Sequence, residues 1–271
     1  MSYSLAFFWF NLVLNVVAVY GVQMNRRQHH KESTKAIRGT LPGGLFEYSV
    51  NISLRHNYMY VEVPKVGCST IKATLQKFEW DRPDYIWHSF DDVHQRELSP
   101  LLTPRAVLDF TQRLNSGCWF QFCFVREPFS RLLSVYLDKI CAPSSHRDRF
   151  QNFRRENGLA PLSDITFADF VFTISAQNYA EMDNHWLPQH VLLCFERMHY
   201  DFVGRLENFE EDFKSVLSRI GADAAYMADL APHRTGSRSK LETYYSSELE
   251  EIVAAKYSED FELFGYSKTI G

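Results

Sequence analysis

Cysteine is sparse in this 271-residue chain: Cys68, Cys118, Cys123, Cys141 and Cys194 are all there is, with no CxxC pair among them. So scattered, they offer neither a disulfide framework nor thiolate metal-ligand spacing, and their odd number leaves at least one thiol unpaired within the chain. An excess of positive charge is missing too. Lys and Arg number 29 against 33 Asp and Glu, a formal net charge of -4, so no global field draws in nucleic acid and any polyanion site must be local. No internal repeat or low-complexity block is visible. What the chain has is apolar matter: 45% hydrophobic and 15% aromatic residues, enough to fill one large domain and incompatible with disorder throughout.

Charge is absent altogether from residues 5–22, LAFFWFNLVLNVVAVYGV, which as a helix would reach about 27 Å. That length barely spans a bilayer, and Asn11 and Asn15 share one helical face. No Lys or Arg precedes the run to make the n-region of a secretory signal. Residues 1–23 are therefore read as a hydrophobic segment that anchors the chain by a single pass. The alternative is a packed N-terminal helix on a cytoplasmic protein. Arg26, Arg27, His29, His30, Lys31, Lys35 and Arg38 follow, and by the positive-inside rule they favour a cytoplasmic C-terminal side. Residues 24–44 are polar and end in Leu41-Pro42-Gly43-Gly44, a linker or stem, which leaves one domain over residues 45–271.

Within that domain strands alternate with helices. Tyr58 to Val63 has strand composition and runs into Pro64, after which Ser69 to Phe78 carries apolar residues at helical spacing. Thr103-Pro104 reads as the start of a helix to Leu114 with Val107, Leu108 and Leu114 on its apolar face. Trp119 to Val125 is apolar apart from Gln121, the pattern of a strand buried on both faces, and a helix through Phe129, Leu132, Leu133, Tyr136 and Ile140 follows. Residues 142–166, with Arg147, Arg149, Arg154 and Arg155 close together, read as a polar surface excursion. A strand over Tyr200 to Leu206, a helix from Phe209 to Ile220 stopped by Gly221, and a helix opened by a Ser247/Glu250 capping box complete the pattern. The fold class is α/β: a P-loop-like three-layer domain with a central, mainly parallel sheet flanked by helices.

Two strand-to-helix loops carry the chemistry. The first reads Pro64-Lys65-Val66-Gly67-Cys68-Ser69-Thr70-Ile71-Lys72. A glycine turn opening a helix at Ser/Thr aims backbone N–H groups and the positive helix end at one spot, which suits a phosphate, and Lys65 adds a mobile charge. Lys65 precedes the glycine, so this is not the Walker pattern, and nucleoside triphosphate geometry with Mg2+ on the hydroxyl is disfavoured. The bland reading is an ordinary turn with Ser69 as N-cap. The second loop, from Arg126 to Tyr136, places Arg126 at the C-terminal end of the buried strand and Ser134 about two turns into the next helix. An Arg fork with a Ser hydroxyl suits a second phosphate, and in a parallel sheet both loops share one edge.

Together PKxGxST and RxPxxRxxSxY resemble the sulfotransferase superfamily. With Asp183-Asn184-His185-Trp186-Leu187-Pro188-Gln189, Tyr200 to Glu207 and the ending Tyr257 to Tyr266, the chain is similar to the carbohydrate sulfotransferases that include the chondroitin and dermatan 4-O-sulfotransferases. The resemblance implies a donor, 3'-phosphoadenosine 5'-phosphosulfate (PAPS), and a hydroxyl acceptor, a glycan in this family. It implies no metal and no nucleic acid, and a Golgi membrane location in a eukaryotic cell. It places Lys65 on the leaving phosphosulfate, Val66, Gly67, Cys68, Ser69, Thr70 and Lys72 around the 5'-phosphate, and Arg126 with Ser134 on the 3'-phosphate. A basic loop near the C-terminus lies against the cofactor in the family, and Arg234 to Lys240, with Arg238 and Lys240, fits it. With Arg131, these cations supply the local charge that the net balance hides, and the acidic stretches Glu207 to Asp212 and Glu248 to Glu251 are expected away from that edge.

The acceptor proton needs a base near neutrality. His88 is the first candidate and His185 the second, with Glu62 or Asp91 as acidic alternatives. Two other functions stay open on the sequence: a P-loop-like kinase or nucleotidase, and a non-catalytic membrane-tethered binding protein.

Overall fold

The computed structural model describes residue 41 and residues 44–228 and 236–270. The apolar run at residues 5–22, the stem up to residue 40, and Arg234 with Thr235 lie outside the described residues. No helix among the described residues is long and apolar enough to cross a membrane.

A short helix α1 (Leu45–Ser49) leads into β1 (Val50–Ser53), which pairs antiparallel with β2 (Tyr58–Val61). Helix α2 (Cys68–Trp80) follows, then α3 (Phe110–Asn115) and β3 (Phe120–Val125), which lies parallel to β2 with Tyr58 opposite Phe120. Next come α4 (Pro128–Val135), running on into a π-helical turn (Tyr136–Ile140), α5 (Ser145–Glu156), α6 (Phe167–Ala176) and α7 (Gln189–Leu192). Then β4 (Phe202–Arg205) pairs parallel with β3, Phe122 opposite Phe202, and α8 (Phe209–Ile220), α9 (Leu241–Tyr244), α10 (Ser247–Lys256) and α11 (Ser258–Phe264) end the domain. The result is an α/β fold on one mixed, mostly parallel sheet of four strands.

Every residue of β2, and of β3 after Phe120, is buried. Successive strand residues point to opposite faces, so such a run means that both faces of the sheet are covered. Gly204 lets β4 come close to β3: a Cβ there would stand 2.4 Å from the Phe124 ring. The turn from β3 into α4 is set by Glu127, whose carboxylate accepts the N–H groups of Phe129 and Ser130, each at 2.7 Å, ahead of Pro128 at the first helical position.

Several expectations are corrected. The helix expected from Thr103 to Leu114 is broken: Pro104–Ala106 is a 3-10 turn, Asp109 takes φ 55, and Leu108 is 88% exposed. A residue at positive φ cannot continue a right-handed helix, so only α3 forms. Residues 142–166 are not a mere excursion, because α5 buries Phe150 completely. Its arginines hide their polarity by donating to carbonyls: Arg147 to Ile140 and Ser163, Arg154 to Ala160. The cap of α10 is Ser246 rather than Ser247, with its hydroxyl accepting the Leu249 N–H. None of the five cysteines forms a disulfide.

Candidate functional site: three loops at the ends of the parallel strands

The first motif forms the turn between β2 and α2. Lys65 stands at φ 70 and Gly67 at φ 86, where a Cβ would press to 3.0 Å on the Phe209 ring, so glycine is required twice over, for backbone sign and for space. Gly67 is the N-cap of α2 and receives no side-chain cap. The first amides of α2 have no acceptor within the helix and, with its positive end, face the loop. Ser69 is thus not the N-cap. It is the second residue of the helix, and its Oγ lies 2.8 Å from His94 Nε2.

The lysines of this motif behave differently from each other. Lys65 is mostly buried, with Nζ 3.0 Å from Asp138 Oδ2, the same oxygen that Lys139 approaches at 3.1 Å. Burial lowers the Lys65 ammonium below its ordinary value against the pull of Asp138, and both lysines hold the Asp138 carboxyl low despite its own burial. Lys72 does not face the loop. It is fully buried, 2.7 Å from Glu62, so its charge is neutralised inside the domain. Val66 is buried at the turn, while Cys68 and Thr70 are half-buried in the first turn of α2.

Arg126, one residue past β3, joins the loops. Its Nη1 donates to the Lys65 carbonyl at 3.1 Å, its Nη2 to Ser237 Oγ at 2.6 Å and its Nε to Ser130 Oγ at 3.2 Å. Gln189 clasps its backbone from both sides, accepting the N–H at 2.9 Å and donating to the carbonyl at 2.8 Å. Burial pulls the guanidinium down to about 10, with Glu207 and Glu127 opposing, so it remains charged at neutral pH. Ser134 is buried one helical turn beyond Ser130, on the same face of α4. Arg131 is buried rather than presented to a ligand: it donates to the carbonyls of Pro64, Leu187 and His185 at 3.2, 3.0 and 3.0 Å and so pins the first loop to the Asp183–Gln189 segment.

Arg238 and Lys240 lie on an exposed 3-10 turn directly after Ser237. Arg238 lines a cavity of about 360 Å³ with Glu127, Arg205, Glu207, Asn208 and Tyr266, and this adjoins a second of about 460 Å³ bounded by Glu127, Arg238 and Tyr266 among others. Glu207 is therefore at the site edge, not away from it. It accepts the Glu127 N–H and the Tyr266 hydroxyl, each at 2.9 Å.

The candidate bases are spread apart. His88 is exposed in the turn before Ser89, Asp91 is exposed, and Glu62 is buried against Lys72. His185 donates through Nδ1 to Asp183 Oδ1 at 2.8 Å, and its ring packs edge-on at 4.2 Å against His146, whose Nδ1 lies 3.1 Å from Asp183 Oδ2. Burial holds the His185 imidazole below its ordinary value, with Asp183 pulling the other way. The Asp183 carboxyl, though buried, is held well below the carboxylate range by hydrogen bonds from His146 and His185. His146, Asp183 and His185 have metal-ligating atoms within 4.8 Å of one another. Arg149 also donates to Asp183 Oδ2 at 2.8 Å, and the His185 N–H to Oδ1 at 3.0 Å, so the carboxylate is already saturated by hydrogen-bond donors.

Sequence reasoning missed His94. It lies 22 residues beyond Lys72 on another element, the 3-10 turn Phe90–His94, with no motif to mark it.

Residues 48–267 match the sulfotransferase family. The chain is 31% identical over 231 residues to carbohydrate sulfotransferase 14 of Homo sapiens, covering 79% of this chain and 59% of that protein. It is 25% identical over 283 residues to carbohydrate sulfotransferase 10 of Xenopus laevis, 88% of this chain and 76% of that one. To carbohydrate sulfotransferase 8 of Mus musculus it is 28% identical over 234 residues, 79% of this chain and 55% of the relative. The chain thus spans about 59% of the length of the human relative. No solved structure matches it significantly. With a phosphate-type turn and an arginine that ties it to the third loop, within a match that covers most of the chain, this protein belongs to the sulfotransferase family.

Proposed function

We propose that the protein transfers the sulfonate of PAPS to a hydroxyl of a carbohydrate. The observation that carries this reading is the Arg126 guanidinium, hydrogen-bonded at once to the Lys65 carbonyl and Ser237 Oγ. It gathers the first loop, the end of β3 and the C-terminal basic loop around one spot, as a nucleotide with phosphates at both ends of its ribose requires. The order of strands, turn and helices supports a P-loop-like three-layer arrangement.

The acceptor oxygen attacks sulfur in line with the bridging oxygen, whose bond to sulfur breaks and leaves the electron pair on the 5'-phosphate. Lys65 stabilises that developing charge. To do so it exchanges Asp138 for the phosphosulfate, which is more highly charged. The α2 amides, Ser69 and Thr70 hold the 5'-phosphate, and Arg126 with Ser134 the 3'-phosphate, with Arg238 and Lys240 closing over the nucleotide. The acceptor proton goes to a histidine. His185 is favoured over His88, because Arg131 anchors its backbone together with that of Pro64, whereas His88 is exposed. With Nδ1–H on Asp183, Nε2 of His185 is the accepting nitrogen. No metal enters these steps. Residues 5–22 would tether the domain to a membrane, in the Golgi if the cell is eukaryotic.

The test is transfer of labelled sulfate from PAPS to a panel of glycans, steroids, phenols and lipids. Label on glycans supports the proposal, and label on another class overturns the acceptor. Mg2+-dependent ATP turnover without PAPS binding would make the protein a kinase or nucleotidase. Binding of adenosine 3',5'-bisphosphate without any transfer would make it a binding protein.

A further inference from the structure

Behind the first loop lies a row of side chains that the proposed reaction leaves unused. Glu62, just past β2, is 2.7 Å from Lys72 Nζ, and both are buried. Lys72 Nζ lies 3.5 Å from Nδ1 of His94, and Nε2 of the same ring lies 2.8 Å from Ser69 Oγ. A strand end, a helix and a distant 3-10 turn thus supply one continuous line that ends on the hydroxyl in the first turn of α2.

Chemistry sets the direction of each contact. An ammonium only donates, so the Nδ1 that faces it can only accept, and the ring proton sits on Nε2. Nε2–H then donates to Ser69 Oγ. A hydroxyl has one hydrogen, and with its oxygen accepting from His94, that hydrogen is left to turn toward the loop, where the positive end of α2 and its first amides, which have no acceptor within the helix, favour an anion. Burial, reinforced by the neighbouring Lys72 charge, pushes His94 down to about 4, so the ring stays neutral in this tautomer across the neutral range.

We propose that Glu62, Lys72 and His94 form a relay that fixes the His94 tautomer and makes the Ser69 hydroxyl a dedicated donor to the 5'-phosphate of the nucleotide. The inference rests on the sulfotransferase reading above. His94 is a positioning residue that acts through Ser69, and Lys72 acts through His94 without touching the phosphate. Glutamine, whose amide nitrogen can take the place of Nε2, should stand in for His94, whereas alanine should not.

Calorimetric titration of the full chain with adenosine 3',5'-bisphosphate and with adenosine 3'-monophosphate tests this. Ser69→Ala and His94→Ala should each weaken the bisphosphate about ten-fold or more, the scale of a hydrogen bond to a charged group. The double variant should be no weaker than Ser69→Ala, the 3'-monophosphate should bind all forms alike, and His94→Gln should recover most of the loss. Unchanged bisphosphate affinity in His94→Ala, an equal loss with the 3'-monophosphate, or additive losses in the double variant would each overturn the relay. Should His94→Ala not fold, His94→Phe, which keeps a ring but has no donor, takes its place beside Ser69→Ala in the same cycle. A wild-type chain that binds neither nucleotide overturns the sulfotransferase reading itself, and the relay with it. Normal wild-type binding with an indifferent His94 overturns the relay alone.

Discussion

The Arg126 guanidinium donates to the backbone carbonyl of Lys65 at 3.1 Å. A side chain at the end of one strand thereby holds the turn that leaves its parallel neighbour, so the residue proposed for one phosphate also shapes the loop proposed for the other. Replacing it should damage both ends of the proposed nucleotide site.

Arg126→Ala should weaken adenosine 3',5'-bisphosphate by about 1.5 to 3 kcal/mol, the scale for a charge-assisted hydrogen bond. Arg126→Lys should restore little, because a point charge cannot span the Lys65 carbonyl and two serine hydroxyls. The thermal shift with the bisphosphate reads both. A wild-type shift in Arg126→Ala removes the arginine from the site.

Lys65→Ala should fall mainly on turnover, as expected for a contact that strengthens with charge on the leaving oxygen. Single-turnover transfer and bisphosphate affinity, measured side by side, separate the two. A loss confined to affinity with kcat intact would assign Lys65 to ground-state binding.

His185→Ala should lower kcat by about 10²- to 10⁴-fold, the usual contribution of a positioned base, while His88→Ala should leave it near wild type. Labelled-sulfate transfer by the two variants decides between them. The reverse pattern would restore the exposed histidine as the base.

Glu62→Gln should destabilise the domain by about 3 to 5 kcal/mol, because it strands the fully buried Lys72 ammonium without its partner. Urea unfolding measures the loss. A change below the scale of surface substitutions would mean that Lys72 finds other solvation.

Acid should weaken the fold early. His94 sits at about 4 in the native chain against 6.5 when unperturbed, so below 6.5 the unfolded chain takes up the proton first. The stability linked to this ring is complete above that value and falls as the pH drops toward about 4, by at most about 3 kcal/mol. The lowered Asp183 carboxyl adds in the same direction once the pH enters the carboxylate range. Urea midpoints between neutral and mildly acidic pH should therefore decline less in His94→Gln than in the wild type, and parallel declines would contradict the shift.

Much of the backbone of the candidate site was legible in the chain because its signals are local. Gly67 opening a helix after a buried strand, and Glu127-Pro128 opening the next, are backbone requirements written within a few residues. The parallel pairing of β2, β3 and β4 followed from the alternation of apolar runs with helical spacing. The misreadings share a cause. Lys72 looked like a ligand because it is two residues from Thr70 in sequence, yet α2 turns it inward onto Glu62. Arg147 and Arg154 looked like surface charge, yet carbonyls from their own neighbourhood satisfy them and let α5 pack.

The sequence by itself determined the three parallel strands with the helices that follow them, the two phosphate-type turns and the family, since each rests on residue types at short fixed spacings. Only the tertiary structure decided which cations stand at the shared loop edge and which are withdrawn, and that His94 stands behind Ser69. Those outcomes depend on burial and on hydrogen bonds between segments far apart in the chain, where desolvation decides whether a charge is neutralised inside or left to meet a ligand.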